Sequence, residues 1–104
     1  MKHDDPAMLE ALNRAWDPEA GPLGLLREGI YDAQLADAYL ALLDSIEIGE
    51  GERLHADFVK LVWFAPIFTE WQIERAAKRG ADRNDVVNFG GRVCSRVMHI
   101  LGMP

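Results

Sequence analysis

Apolar residues recur at steps of three and four along most of this chain, and no segment alternates convincingly between apolar and polar. The first pattern puts Met8, Leu9, Leu12, Ala15 and Trp16 on one helical face. Asp5-Pro6 precedes it, an acceptor side chain at the N-cap and a proline whose missing N–H costs nothing in a first turn. Pro18 ends the pattern, "PEAGPLG" reads as a turn-rich connector, and Leu23, Leu25 and Leu26 fit a short helical turn before Gly29.

The second pattern runs from about Tyr31 to Ile48 through Leu35, Tyr39, Leu42, Leu43 and Ile46, and Gly49-Glu50-Gly51 breaks it. The third starts near Glu52, with Leu54, Phe58, Leu61, Val62 and Ala65 as its inner stripe. Pro66 cannot donate to the carbonyl of Val62, and it pushes Ala65 from helical angles, so a kink or short break is expected before the helix resumes to Arg79. Gly80 suits the end of that helix. Asn84 or Asp85 can cap a last helix carrying Val86, Phe89, Val93, Val97, Ile100 and Leu101, which Gly102 closes. "DVVNFGGRVCSRV" is the most strand-like stretch, but its apolar spacing favours helix. These patterns predict an all-α fold, a single-domain bundle of four to five helices over residues 1–104 with a proline-kinked central helix.

"LVWFAPIFTEW" (Leu61–Trp71) stands out for its large apolar side chains around one proline. Leu61, Ala65 and Phe68 continue the inner stripe, whereas Trp63, Ile67 and Trp71, spaced by four, occupy another side. Two readings follow. The segment is a central helix buried on several sides and bent by Pro66 around its neighbours. Alternatively Trp63, Ile67 and Trp71 protrude as a contact patch, covered by a second copy in a homodimer or by another partner. Gly90-Gly91 inside the last helix costs about 1 kcal/mol per residue against alanine, which suggests a close helix approach, with Trp63 or Trp71 as the expected neighbour.

Composition narrows the class. Apolar residues at 49% and charged residues at 27% fit a globular chain rather than a disordered one. Cys94 is the only cysteine, so no internal disulfide forms, which suits a reducing compartment. The amino end lacks an apolar signal core, and the longest apolar run, Leu61 to Phe68, is far short of the ~20 residues a spanning helix needs. A cytoplasmic protein without membrane contact is expected. The net charge of −6 is unevenly spread: residues 1–52 carry twelve acids and three bases, residues 53–104 eight bases and five acids. The halves either attract each other in the fold or present opposite fields to partners.

Catalytic and metal signals are sparse. "GEGERL" begins like a dinucleotide fingerprint, but Leu54 replaces the third glycine. His3, His55 and His99 share no ligand spacing, and Cys94 and His99 are five apart, so neither a metal nor another cofactor is expected. Ser45, Ser95 and Thr69 have no local base, and the carboxylate pairs Glu50/Glu52, Asp82/Asp85 and Glu70/Glu74 fit helix starts and an i,i+4 partner in Lys78. The chain is therefore read as a non-enzyme. Arg75, Lys78, Arg79, Arg83, Arg92 and Arg96 raise nucleic-acid binding, which the acidic overall balance disfavours.

The helix from Tyr31 to Ile48 contains no base. Asp37 and Asp44 lie two turns apart on one side, with Glu47 beyond, and an ordinary solvated helix mixes both signs. This face either pairs with the chain's own arginines or recognises a basic protein. With "DAQLADAYLALLDSIEIGEGE" as an acid-only helix and loop, the small, acidic, cysteine-poor chain resembles bacterial immunity proteins of contact-dependent inhibition systems. The likeness is one of overall character along the whole chain. It implies that the protein binds and occludes a basic toxin domain, such as a nuclease, with Asp37, Asp44, Glu47, Glu50 and Glu52 standing in for phosphates.

Overall fold

The structure, a computed structural model, describes residues 1–104 and contains seven helices and no strand. Helix α1 (Pro6–Arg14) starts as its sequence dictates: the Asp5 carboxylate accepts the Ala7 N–H at 2.8 Å and Pro6 opens the first turn. Met8 and Leu12 are buried, and the Asp17 side chain closes the following turn by accepting the Glu19 and Ala20 N–H groups. Helix α2 (Pro22–Arg27) realises the short turn expected around Leu23–Leu26. It sits so close to the end of α1 that a Cβ on Gly24 would lie 1.9 Å from the Asp17 carbonyl oxygen.

Helix α3 (Ala33–Asp44) is capped by Asp32, which accepts the Leu35 N–H at 3.0 Å. It buries Ala36, Tyr39, Leu40 and Leu43, a stripe at steps of three, one and three. The next helix starts later than expected. Residues 52–55 are irregular, and His55 caps α4 (Ala56–Val62), its Nδ1 accepting the Asp57 N–H. Phe58 and Val62 point inward.

Of the kink or short break expected at Pro66 the structure has the break, so the central helix is interrupted rather than bent. Trp63 and Phe64 form a turn, and Pro66 lies in the first turn of a separate helix, α5 (Ala65–Trp71). A proline in mid-helix forfeits a hydrogen bond and clashes with the preceding turn, whereas in a first turn it loses nothing. The break leaves the Leu61 carbonyl, which a continuous helix would give to the Ala65 N–H, without its helical donor. The Trp16 indole N–H supplies one at 3.1 Å. A single-residue junction at Gln72 then leads to α6 (Ile73–Lys78). The four or five expected helices thus become seven, because the segment expected as one helix, kinked or briefly interrupted at Pro66, divides into three.

Helix α7 (Arg83–Leu101) is the longest, and its cap is Asp82 rather than Asn84 or Asp85: the Asp82 carboxylate accepts both of those N–H groups. It packs against α3, α5 and α6, while α1 packs against α4. Val86, Phe89, Val93 and Val97 form its buried stripe, so the strand-like valines serve a helix. One buried core draws residues from all seven helices. No helix is long and apolar enough to cross a membrane.

Two substitutions test this geometry. Trp16→Phe keeps the ring but leaves the Leu61 carbonyl unpartnered, and should lower unfolding stability by about 1–2 kcal/mol in urea denaturation. Gly24→Ala should destabilise by about 3 kcal/mol or more, because the added methyl meets fixed backbone and not a side-chain tip.

Candidate functional site

The break after α4 decides which large side chains of Leu61–Trp71 go inside. Ala65, Phe68 and Thr69 are buried. Trp63, Ile67 and Trp71 are 49%, 40% and 66% exposed, so the reading that placed them in the core is overturned. Half-buried Phe64 lies between the two layers. Its ring centroid is 5.4 Å from Trp63, 5.4 Å edge-to-face from Trp71 and 6.0 Å from Phe68, and it stacks on Trp16 at 6.3 Å. Trp16 and Phe68 pack edge-to-face at 5.0 Å below it. With this position filled, the outer tryptophans are held against an aromatic base and cannot collapse inward.

Beside this ridge runs a groove of about 390 Å³ between α5 and the start of α6 on one side and α7 on the other, with Ile67 and Ile73 on one wall and Val87 and Cys94 on the other. Gly90 and Gly91 lie along it. Gly90 is the close approach foreseen for this pair, but its neighbour is Thr69, whose Oγ1 would sit 3.2 Å from an added Cβ, and not a tryptophan. A Cβ on Gly91 would meet nothing within 4 Å. Exposed Met98 continues the apolar surface along α7, and a second concavity there joins Gly91 and Cys94 to Met98 and Met103.

The carboxylates expected to form one recognition face are in different states. Asp44 is already engaged: Arg96 of α7 donates to both its oxygens, at 2.9 and 3.3 Å. Glu47 lies 3.5 Å from the Met1 ammonium. Glu52 accepts the Gly49 N–H at 2.7 Å and faces His3. Asp37 and Glu50 form no ion pair. Asp37 instead helps raise the pKa of the Tyr31 hydroxyl, behind the larger effect of burial and ahead of Asp85, with Arg92 opposing all three. Two helices of opposite charge therefore answer each other in part, as intramolecular complementarity would have it. Elsewhere Glu74 pairs with Arg83 at 2.9 Å, not with Lys78.

The residue that spacing did not single out is His3, 1% exposed beside Phe58, with ring centroids 4.9 Å apart. Its Nδ1 has no hydrogen-bond partner and lies 3.4 Å from a Glu52 oxygen, and Asp4 completes a cluster whose donor atoms fall within 4.8 Å of one another. The cluster's outer limit of 4.8 Å is wider than an edge of a tetrahedral metal site with bonds of about 2.1 Å, but the His3–Glu52 separation of 3.4 Å matches one. The tautomer argues otherwise. Nε2 accepts the His55 backbone N–H at 3.1 Å, so it carries the lone pair and the neutral ring's proton sits on Nδ1, where a metal would bind. Two of the three serine and threonine hydroxyls are also committed: Ser45 donates to the Leu42 carbonyl at 2.7 Å and Thr69 to the Pro66 carbonyl at 2.9 Å.

Comparisons with protein-family models, with curated proteins and with solved structures return no match for this chain.

The assignment of the His3 proton has a direct check. Zn²⁺ added to the protein should leave its thermal midpoint unchanged. A rise of about ten degrees or more, which a ligand at a hundredfold excess over Kd confers on a domain this size, would show that the ring presents a lone pair at Nδ1.

Proposed function

We propose that this protein works by binding another polypeptide chain through the apolar face of α5 and α7. The observation that carries this reading is the exposure of Trp63, Ile67 and Trp71 on one ridge in a chain that buries eighteen other apolar residues. Two tryptophans about half and two-thirds in water are costly, and large exposed aromatics backed by a rigid base are the anchors from which protein interfaces draw most of their energy. The adjoining groove supplies concave surface beside the convex ridge. An adaptor or regulator acting by contact needs no more chemistry than this.

The second reading is neutralisation of a basic toxin domain through Asp37, Asp44, Glu47, Glu50 and Glu52. Asp37 and Glu50, which carry no ion pair, favour it. Asp44 is exposed and Arg96 half-buried in this pair, so releasing Asp44 to an incoming cation costs on the order of 1 kcal/mol. Under this reading association slows as salt rises, and the ridge is dispensable.

A photo-reactive residue at position 67 separates the two when compared with one at position 37. In cells, the probe at 67 should cross-link to a polypeptide, and Trp71→Ala should weaken that contact by about 30-fold, a typical loss for an aromatic anchor. No adduct from 67 would overturn the ridge reading, and adducts from 37 alone would establish the acidic one.

A further inference from the structure

We infer that the occupant of the α5–α7 face is a second copy of this chain, docked about a two-fold axis. The inference rests on the ridge reading above and names its partner. A two-fold interface must be self-complementary, since each copy presents the same patch to the other. This face has both halves of such a joint. Trp71, 66% exposed, and Trp63 project from it, and the glycine-floored groove along α7 recedes beside them. The tryptophan of one copy has a place to go on the other.

Gly91 is the residue that the isolated chain does not explain. It sits inside a nineteen-residue helix, where glycine costs about 1 kcal/mol against alanine. Its neighbour Gly90 is accounted for by Thr69, but nothing in the chain approaches Gly91. A floor without side chains on the outer side of α7 is what an incoming indole needs for close contact, and only a body from outside the chain can use it.

The area is of the right size. Trp63, Ile67, Trp71, Val87, Met98 and Met103 are each 38–70% exposed. Together these six leave on the order of 600 Å² of side-chain surface in water, and adding the groove walls brings the face near the ~800 Å² per partner of a standard stable interface. Charge does not oppose the contact. Glu70 is the only ionised side chain lining the groove, so a copy with net charge −6 brings only one charge per subunit into it.

Sedimentation equilibrium of the purified full chain tests this. The wild type should show twice the monomer mass of 11.7 kDa at about 10 µM. Trp71→Glu and, separately, Gly91→Leu should each weaken association by at least about 30-fold with helical circular dichroism unchanged. Both substitutions suit the monomer, because Trp71 is exposed and a side chain at Gly91 enters open space. A wild-type monomer at about 100 µM, or a dimer that neither substitution weakens, would overturn the inference. A monomer whose position 67 still cross-links to a different protein in cells would remove the second copy while leaving the ridge reading intact.

Discussion

Pro66 has no N–H to give, and the layout of the apolar segment follows from how the chain accommodates that. A helix running from Ala56 through Trp71 would leave the Val62 carbonyl without a donor and crowd the proline ring against it. The chain instead ends α4 at Val62, turns through Trp63 and Phe64, and starts again with the proline in the first turn. The Leu61 carbonyl that the break exposes is taken by the Trp16 indole at the end of α1. That hydrogen bond ties the break to the first helix, and the ring that makes it also stacks under Phe64. Once Phe64 is fixed, Phe68 goes down into the core and Trp63 and Trp71 stay above it. The outward ridge therefore follows from how the backbone hydrogen bonds are met around the break.

The long helix α7 turns this ridge into a surface. Its buried stripe, Val86, Phe89, Val93 and Val97, holds α3, α5 and α6 on one side. Its outer side carries Val87, Gly91, Cys94 and Met98 past the ridge. Arg96, near its end, reaches Asp44 on α3 and so removes one carboxylate from the acid-only face. The same helix thus extends the apolar face and offsets part of the acidic one, and the two functional readings differ in which of its sides they use.

Much of this was legible in the sequence. Asp5-Pro6 and the apolar spacing gave α1, the 86-89-93-97 spacing gave α7 against its strand-like valines, and the all-α class followed. The spacing also separated Trp63, Ile67 and Trp71 from the stripe of Ala65 and Phe68, although burial and exposure of the trio were equally compatible with it. What decided between them was the Trp16–Leu61 contact, which spans forty-five positions and leaves no local pattern. His3 was illegible for a similar reason: its acceptor role depends on the His55 N–H, fifty-two residues away. Asp82 was missed as a cap because Asn84 and Asp85, equally good capping residues, follow it closely. Asp44 matched the periodicity of a free acidic face, and only the crossing of α3 and α7 shows that Arg96 meets it.

The break at Trp63–Phe64 is the central claim, and residue-resolved amide hydrogen exchange addresses it most directly. The N–H groups of Phe64 and Ala65 find no backbone acceptor, whereas that of Trp63 bonds to Val59 and that of Phe68 to Phe64. Phe64 and Ala65 should therefore exchange orders of magnitude faster than Trp63 and Phe68 on either side. Equal protection across all four positions would mean that the helix runs through the proline, and the aromatic ridge would have to be placed anew.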